Sequence, residues 1–206
     1  MKILLVADTE EKLLWDDWGE QTRDMLSGAE LILSAGDLDA AYLEFLVTML
    51  NVPLVYVKGN HDGAYDEKAP EGCISAEGRI VEAAGLRILG LGGSMRYKDN
   101  AEDMYTEEEM QRRIASLRGR FLRDRISGKS GLDILLTHAP AKGYGDMEDI
   151  AHTGFECFNV LLERFRPLLH CYGHVHREYG NFRRKIIHPS GAELINGSGY
   201  YLIDIE

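Results

Sequence analysis

The sequence predicts an α/β protein in which two sheets lie face to face with helices outside them, and three observations carry that reading. Short apolar runs of four to six residues recur along the chain with little polar alternation, as strands covered on both faces require. Helical patterns with one apolar face separate several of those runs. The tail is β-like and interrupted by Gly and Pro, which adds strands after the alternating part.

In chain order, KILLVA (2–7) is the first strand and AELILSAG (29–36) the second. LDAAYLEFLVTML (38–50) places Leu43, Leu46, Val47 and Leu50 on one helical face, with Asp39 as its N-cap. PLVYVKG (53–59) and LRILGLGG (86–93) are further strands. TEEEMQRRIASLRGRFLRDRI (106–126) is a helix opened by a capping box of Thr106 and Glu109. Its Arg-rich part has acidic neighbours at helical spacing and reads as a solvated face, not a nucleic-acid patch. LDILLTH (132–138) is a strand, and TGFECFNVLLERF (153–165) a helix with the same capping-box spacing at Thr153 and Glu156. PLLHCYG (167–173) is a strand with His170 packed inside it, and NFRRKIIHPSGAELINGSGYYLIDIE supplies antiparallel strands.

With 206 residues, 45% of them hydrophobic, and no linker or repeat, the chain reads as one domain over 1–206. Lys plus Arg number 23 against 34 Asp plus Glu, a net charge of -11. That balance disfavours a duplex-DNA binder, which needs a basic face to displace counterions, and adhesion to anionic membranes. An acidic protein that handles phosphates needs metal or a local Arg cluster to overcome its own field. Cys73, Cys157 and Cys171 are odd in number and lack CxxC spacing, so reduced thiols are expected. The apolar run before Asp8 is too short for a signal peptide and no run approaches a membrane span, so a cytoplasmic location is expected.

Chemistry concentrates where the strands end. Asp8 and Glu10 follow the first run, Asp37 the second, Asn60-His61-Asp62 the third, His138 closes the fifth, and His174 and His176 follow the sixth. Several come just after a Gly, which lets the backbone turn. In an open α/β sheet the carboxyl ends of parallel strands share one edge, where ligands bind. Carboxylates, an amide oxygen and imidazoles suit borderline divalent metals such as Mn, Fe or Zn. They are too many for one tetrahedral ion and suit two ions bridged by a carboxylate, the arrangement that clamps a phosphoryl displacement. A lone Gly-Asp is more often a turn; all of these segments, each at a strand end, make a chance grouping improbable.

ADTE (7–10), AGD (35–37), KGNHD (58–62), LLTHAP (135–140) and YGHVH (172–176) resemble, in order, the signature blocks of the calcineurin-like metallophosphoesterases. The segment from His138 through Arg166-Pro167 to the GHVH block is most similar to the branch of metallophosphoesterase-domain proteins and class III cyclic nucleotide phosphodiesterases. The resemblance implies a four-layer α/β/β/α sandwich of two mixed sheets flanked by helices. It also implies a dinuclear-metal phosphoesterase acting on a phosphomonoester or phosphodiester of a small molecule, by in-line attack of a metal-bridging hydroxide. Asp37 would bridge the ions, Asp8 and His176 would hold the first, and Asn60, His138 and His174 the second. His61 would protonate the leaving alkoxide and Asp62 would orient it.

Position 10 departs from the family pattern, which has His where this chain has Glu10. Glu10 as a ligand adds anionic oxygen, which favours Mn among the two divalent ions expected. Arg96, in the turn after a strand, and Tyr144 and Asp146, in the loop after His138, are candidates for substrate contact, as is His152. A rival reading is a non-catalytic protein-binding scaffold with a weakened first metal site, as some relatives of the superfamily are. Retention of His61 and of every ligand position but 10 favours the enzyme. A nuclease acting on long nucleic acid is disfavoured by the charge.

Overall fold

The computed structural model describes residues 1–99, 101–129, 131–179 and 182–205. Gly180, Asn181 and Glu206, which fall in the last motif and the expected tail strands, lie outside the described residues. The strands are β1 (Lys2–Ala7), β2 (Ala29–Ser34), β3 (Leu54–Tyr56), β4 (Ile74–Ser75), β5 (Arg79–Ala83), β6 (Leu86–Leu91), β7 (Ser94–Met95), β8 (Met104–Tyr105), β9 (Ile134–Thr137), β10 (Leu169–Tyr172), β11 (Lys185–Ile187), β12 (Glu193–Asn196) and β13 (Gly199–Asp204). The α-helices are α1 (Glu20–Leu26), α2 (Ala40–Leu50), α3 (Glu107–Ser116), α4 (Arg118–Ile126) and α5 (Glu156–Phe165).

One sheet runs β13-β1-β2-β3-β4 and the other β11-β12-β10-β9-β6-β5. Both are mixed. β1, β2 and β3 are parallel with β13 antiparallel at the edge, and β6, β9, β10 and β12 are parallel with β5 and β11 antiparallel. Alternation of side chains along each strand builds the layers. Ile3, Leu5, Leu31, Leu33 and Val55 meet Ile88, Ile134, Leu136 and Cys171 between the sheets. Leu4, Val6, Ile32 and Leu54 pack outward on Leu26 of α1 and Tyr42, Leu43 and Leu46 of α2. Leu89 and Leu135 pack outward on Met110 of α3 and Phe158, Leu161 and Leu162 of α5. The result is the expected α/β/β/α sandwich.

Local caps explain where the helices depart from expectation. Asp39 caps α2 by accepting from the Ala41 amide, and Thr106 and Glu109 form the capping box of α3. The helix expected over 106–126 is two, because the Ser116 hydroxyl donates to the Arg113 carbonyl (2.6 Å) and Leu117 turns its amide to Ile114 instead. At α5 the expected capping box does not form. Thr153 donates to the Asp149 carbonyl, and the carboxylate of Glu107, from α3, accepts from the Glu156 and Cys157 amides. The tail hairpin β11–β12 is antiparallel as expected, yet β12 docks parallel to β10, and β13 returns to the first sheet. Among the described residues, no helix is long and apolar enough to cross a membrane.

Candidate metal centre

The carboxyl ends of β1, β2, β3, β9 and β10 bring Asp8, Asp37, Asn60, His138 and His174 to one edge of the sandwich. The loops after β2 and β3 touch backbone to backbone. A Cβ at Gly36 would collide with the Gly59 amide, and one at Gly59 with the Asp37 carboxylate. Glycine is required at both by close approach. Asp62 ties the same two loops, its Oδ2 accepting from the amides of Asp37 and Gly59 at 2.7 Å each. That oxygen holds backbone, whereas the resemblance implies orientation of the His61 ring.

Three of these residues have left-handed backbones: Asp8 (φ 64°), Asp37 (φ 57°) and His174 (φ 69°). Each costs about 1–2 kcal/mol relative to a right-handed conformation, strain that the packed loops sustain. What the strain achieves is convergence. Asp37, His138 and His174 each offer a ligand atom within 4.8 Å of the others, the one such group found among the described residues.

Hydrogen bonds on the far side of each imidazole fix which nitrogen faces inward. His138 donates from Nδ1 to the Ala35 carbonyl (2.7 Å), so its Nε2 faces Asn60 Oδ1 at 3.1 Å and Asp37 Oδ2 at 3.4 Å. His174 donates from Nε2 to the Ala151 carbonyl (2.7 Å), which leaves Nδ1 for the centre. Metal-ligating histidines are typically anchored in this way. The Asp8 side chain is fully buried; its Oδ1 accepts from the His174 amide (2.8 Å), while its Oδ2 has no partner.

The electrostatics express an unmet demand for positive charge. Burial opposes protonation of His138, but Asp37 and then Asp8 outweigh it and push the imidazole up to about 9. Burial raises Asp37, and His138 with the His61 amide more than reverse this, holding the carboxyl well below its ordinary range. Burial holds Asp8 above that range and, with the Asp37 charge, lifts Asp62 to about 6. His174, buried beside His138, is lowered to about 3 and stays neutral. A neutral His138 would set three lone-pair bearers against one another, so the donor set fits a cation.

The remaining sequence candidates fall at or beyond the rim. His61 is exposed, its amide donating to Asp37 Oδ1 (2.8 Å), and it lines a cleft with Glu10, Asp37, Asp62 and Lys68. Glu10 is exposed, and its Oε1 accepts from the Asp39 amide (2.8 Å). His176 is half-buried against Tyr179. Arg96 is paired with Glu109 (2.8 Å) and donates to the Met104 carbonyl. Tyr144 packs edge-on against His188, and Asp146 accepts from the amides of Gly143 and Gly154 to brace its own loop. His152 packs against a residue of the centre. Its ring centroid is 5.2 Å from that of His174, and its Nδ1 donates to Asp149 (2.8 Å). No spacing rule in the sequence singles it out.

Comparison with known proteins bears on the family and the fold. Residues 1–178 match the family described as calcineurin-like phosphoesterase. A stretch of 53 residues is 40% identical to metallophosphoesterase domain-containing protein 1 of Homo sapiens, covering 24% of this chain and 16% of that protein. A UPF0046 protein of Caenorhabditis elegans is 42% identical over 53 residues, 25% of this chain and 13% of its own length. The match thus spans only a small part of either relative. The crystal structure of TT1561 of Thermus thermophilus superposes with a TM-score of 0.62 at 16% identity, covering 96% of this chain and 89% of that one. A further crystal structure reaches a TM-score of 0.69 at 15% identity, covering 98% and 94%. At such identities the structural likeness speaks for the fold.

Proposed function

Because the chain belongs to the calcineurin-like phosphoesterase family, we propose that it is a metal-dependent phosphoesterase hydrolysing a phosphomonoester or phosphodiester of a small molecule. The observation that carries this reading is the inward face of His138, where an imidazole nitrogen, an amide oxygen and a carboxylate oxygen converge so that either a proton on Nε2 or a cation must lie between them. Divalent cations bound there would polarise the phosphoryl oxygens and lower the pKa of an attacking water.

We assign Asn60, His138 and His174 to one ion, Asp8, Glu10 and His176 to the other, and Asp37 to both. The unpartnered Oδ2 of Asp8 supports its part in this set. Glu10 has one oxygen fixed by the Asp39 amide, which leaves the second for an ion, and ligating carboxylates are commonly held so. The oxygen-rich first position favours Mn over Zn. Asp37 stays ionised under all ordinary conditions, as a shared ligand must. His61, held at the cleft by the hydrogen bond its backbone amide donates to Asp37, delivers a proton to the leaving oxygen. Asp62 keeps Asp37 and Gly59 in register, so its contribution passes through backbone.

Metal analysis of protein equilibrated with excess Mn tests the assignment. Two ions per chain are expected, with Glu10→Gln retaining one. Glu10→His should shift preference toward Zn or Fe. Protein that takes up no Mn at all would favour a protein-binding scaffold on the same fold.

A further inference from the structure

Glu77 lies where the chain crosses from the first sheet to the second, between β4 and β5. Its carboxylate accepts from three directions. The Lys58 amide donates to Oε2 (3.2 Å), the Gly92 amide to both oxygens (3.1 and 3.2 Å), and the Arg113 guanidinium of α3 forms an ion pair with Oε1. Arg113 in turn donates to the Gly92 carbonyl (2.9 Å) and lies over the Tyr105 ring, 4.1 Å from its centroid. Side chains of Glu77 and Arg113 are only 23% and 21% exposed, so their pairing is little screened.

Lys58 is the residue this carboxylate grips, and it opens the Lys58-Gly59-Asn60-His61 turn. Its carbonyl accepts from the Gly93 amide (2.8 Å), and its ammonium pairs with Asp66 (2.7 Å) and Asp103 (3.1 Å). A Cβ at Gly92 would collide with both Glu77 and the Lys58 carbonyl, so no slack remains at this junction. The next residue, Gly59, touches Asp37 and donates to Asp62, which also holds the Asp37 amide. Displacement of Lys58 therefore moves Asn60, His61 and Asp37 together.

We infer that Glu77, braced by Arg113, is a positioning residue for the metal centre: it sets the Lys58–His61 turn and through it the placement of Asn60 and Asp37. The inference rests on the phosphoesterase reading for its purpose but not for its geometry. Supporting groups of this kind typically change metal affinity by about 10–100-fold when removed.

The test compares Glu77→Gln, Arg113→Met and Arg113→Lys with Asp124→Asn, which breaks the Arg87–Asp124 pair (2.8 Å) at the other end of the second sheet. Gln keeps the size of Glu but sets an amide donor against either Arg113 or the Lys58 amide, so folding is retained while the grip is lost. Mn titration and NMR hydrogen exchange at the Gly59 and His61 amides are read beside Tm. Glu77→Gln and Arg113→Met should weaken Mn binding by about 10–100-fold and speed exchange at both amides. Arg113→Lys should recover most of each, and Asp124→Asn should lower Tm alone. Equal loss of Tm in Glu77→Gln and Asp124→Asn, with Mn affinity and exchange unchanged in both, overturns the inference. If the wild type itself binds no Mn, the metal reading falls, and the exchange rates alone decide whether Glu77 positions the turn.

Discussion

Loading the centre with Mn should release about one proton per chain near neutral pH, because metal must displace the proton that His138 otherwise carries. The magnitude follows from the site. Asp37 Oδ2 at 3.4 Å and Asp8 Oδ1 at 4.0 Å outweigh burial and push His138 up to about 9. At pH 7 the ring of the metal-free protein is therefore about 99% protonated, and only its neutral form offers Nε2 as a ligand. Apparent affinity should fall about tenfold per pH unit below 9. That is about 100-fold at pH 7, or about 3 kcal/mol. The sign also fixes apo stability. A folded-state pKa raised above the ordinary 6.5 contributes stability that is complete below that value and lost as pH rises through about 9. Isothermal titration in buffers of different ionisation enthalpy counts the protons directly. Burial also holds Asp8 above the carboxylate range, so a count that rises above one as the pH is lowered accords with the same arrangement. A count near zero at pH 7, with affinity flat between pH 7 and 9, would refute the placement of the His138 ring between the two acidic groups.

Other outcomes follow from single contacts. His61→Ala should lower turnover about 10²–10⁴-fold with metal content unchanged, and the loss should shrink for p-nitrophenyl relative to alkyl leaving groups, which need more protonation; equal losses would remove His61 as the proton donor. Asp62→Ala leaves two backbone amides without an acceptor and should cost about 2–4 kcal/mol in urea unfolding, whereas Asp62→Asn keeps an acceptor oxygen and should cost under about 1 kcal/mol. Gly59→Ala places a Cβ against the Asp37 carboxylate and should abolish high-affinity Mn binding by titration while the far-ultraviolet circular dichroism spectrum is kept.

The candidate centre is legible in the sequence because a strand covered on both faces is an unbroken apolar run, so the polar residue that ends it stands out. β1 and α2 accordingly end and begin where the pattern and the Asp39 cap indicate. The family's signature blocks then order those residues into one edge. Less is legible where a distant partner decides. The capping box expected at Thr153 loses to a carboxylate from α3, and the split between α3 and α4 turns on one serine hydroxyl. The direction of β12 depends on which strand it meets. Glu77, whose partners lie at Lys58, Gly92 and Arg113, carries no local mark at all. Asp62 stands out in the sequence for its neighbour His61, but its role lies with the amides of a different loop.

Hydrolysis of bis-p-nitrophenyl phosphate and p-nitrophenyl phosphate by the purified chain, stripped with chelator and then given Mn, tests the phosphoesterase reading most directly, with Asp37→Asn as the reference. Turnover of at least one of the two esters should vanish on chelation, return with Mn, and stay absent in Asp37→Asn, whose single lost charge would serve both ions in the proposed assignment. Mn-loaded wild type that hydrolyses neither ester faster than Asp37→Asn would contradict it.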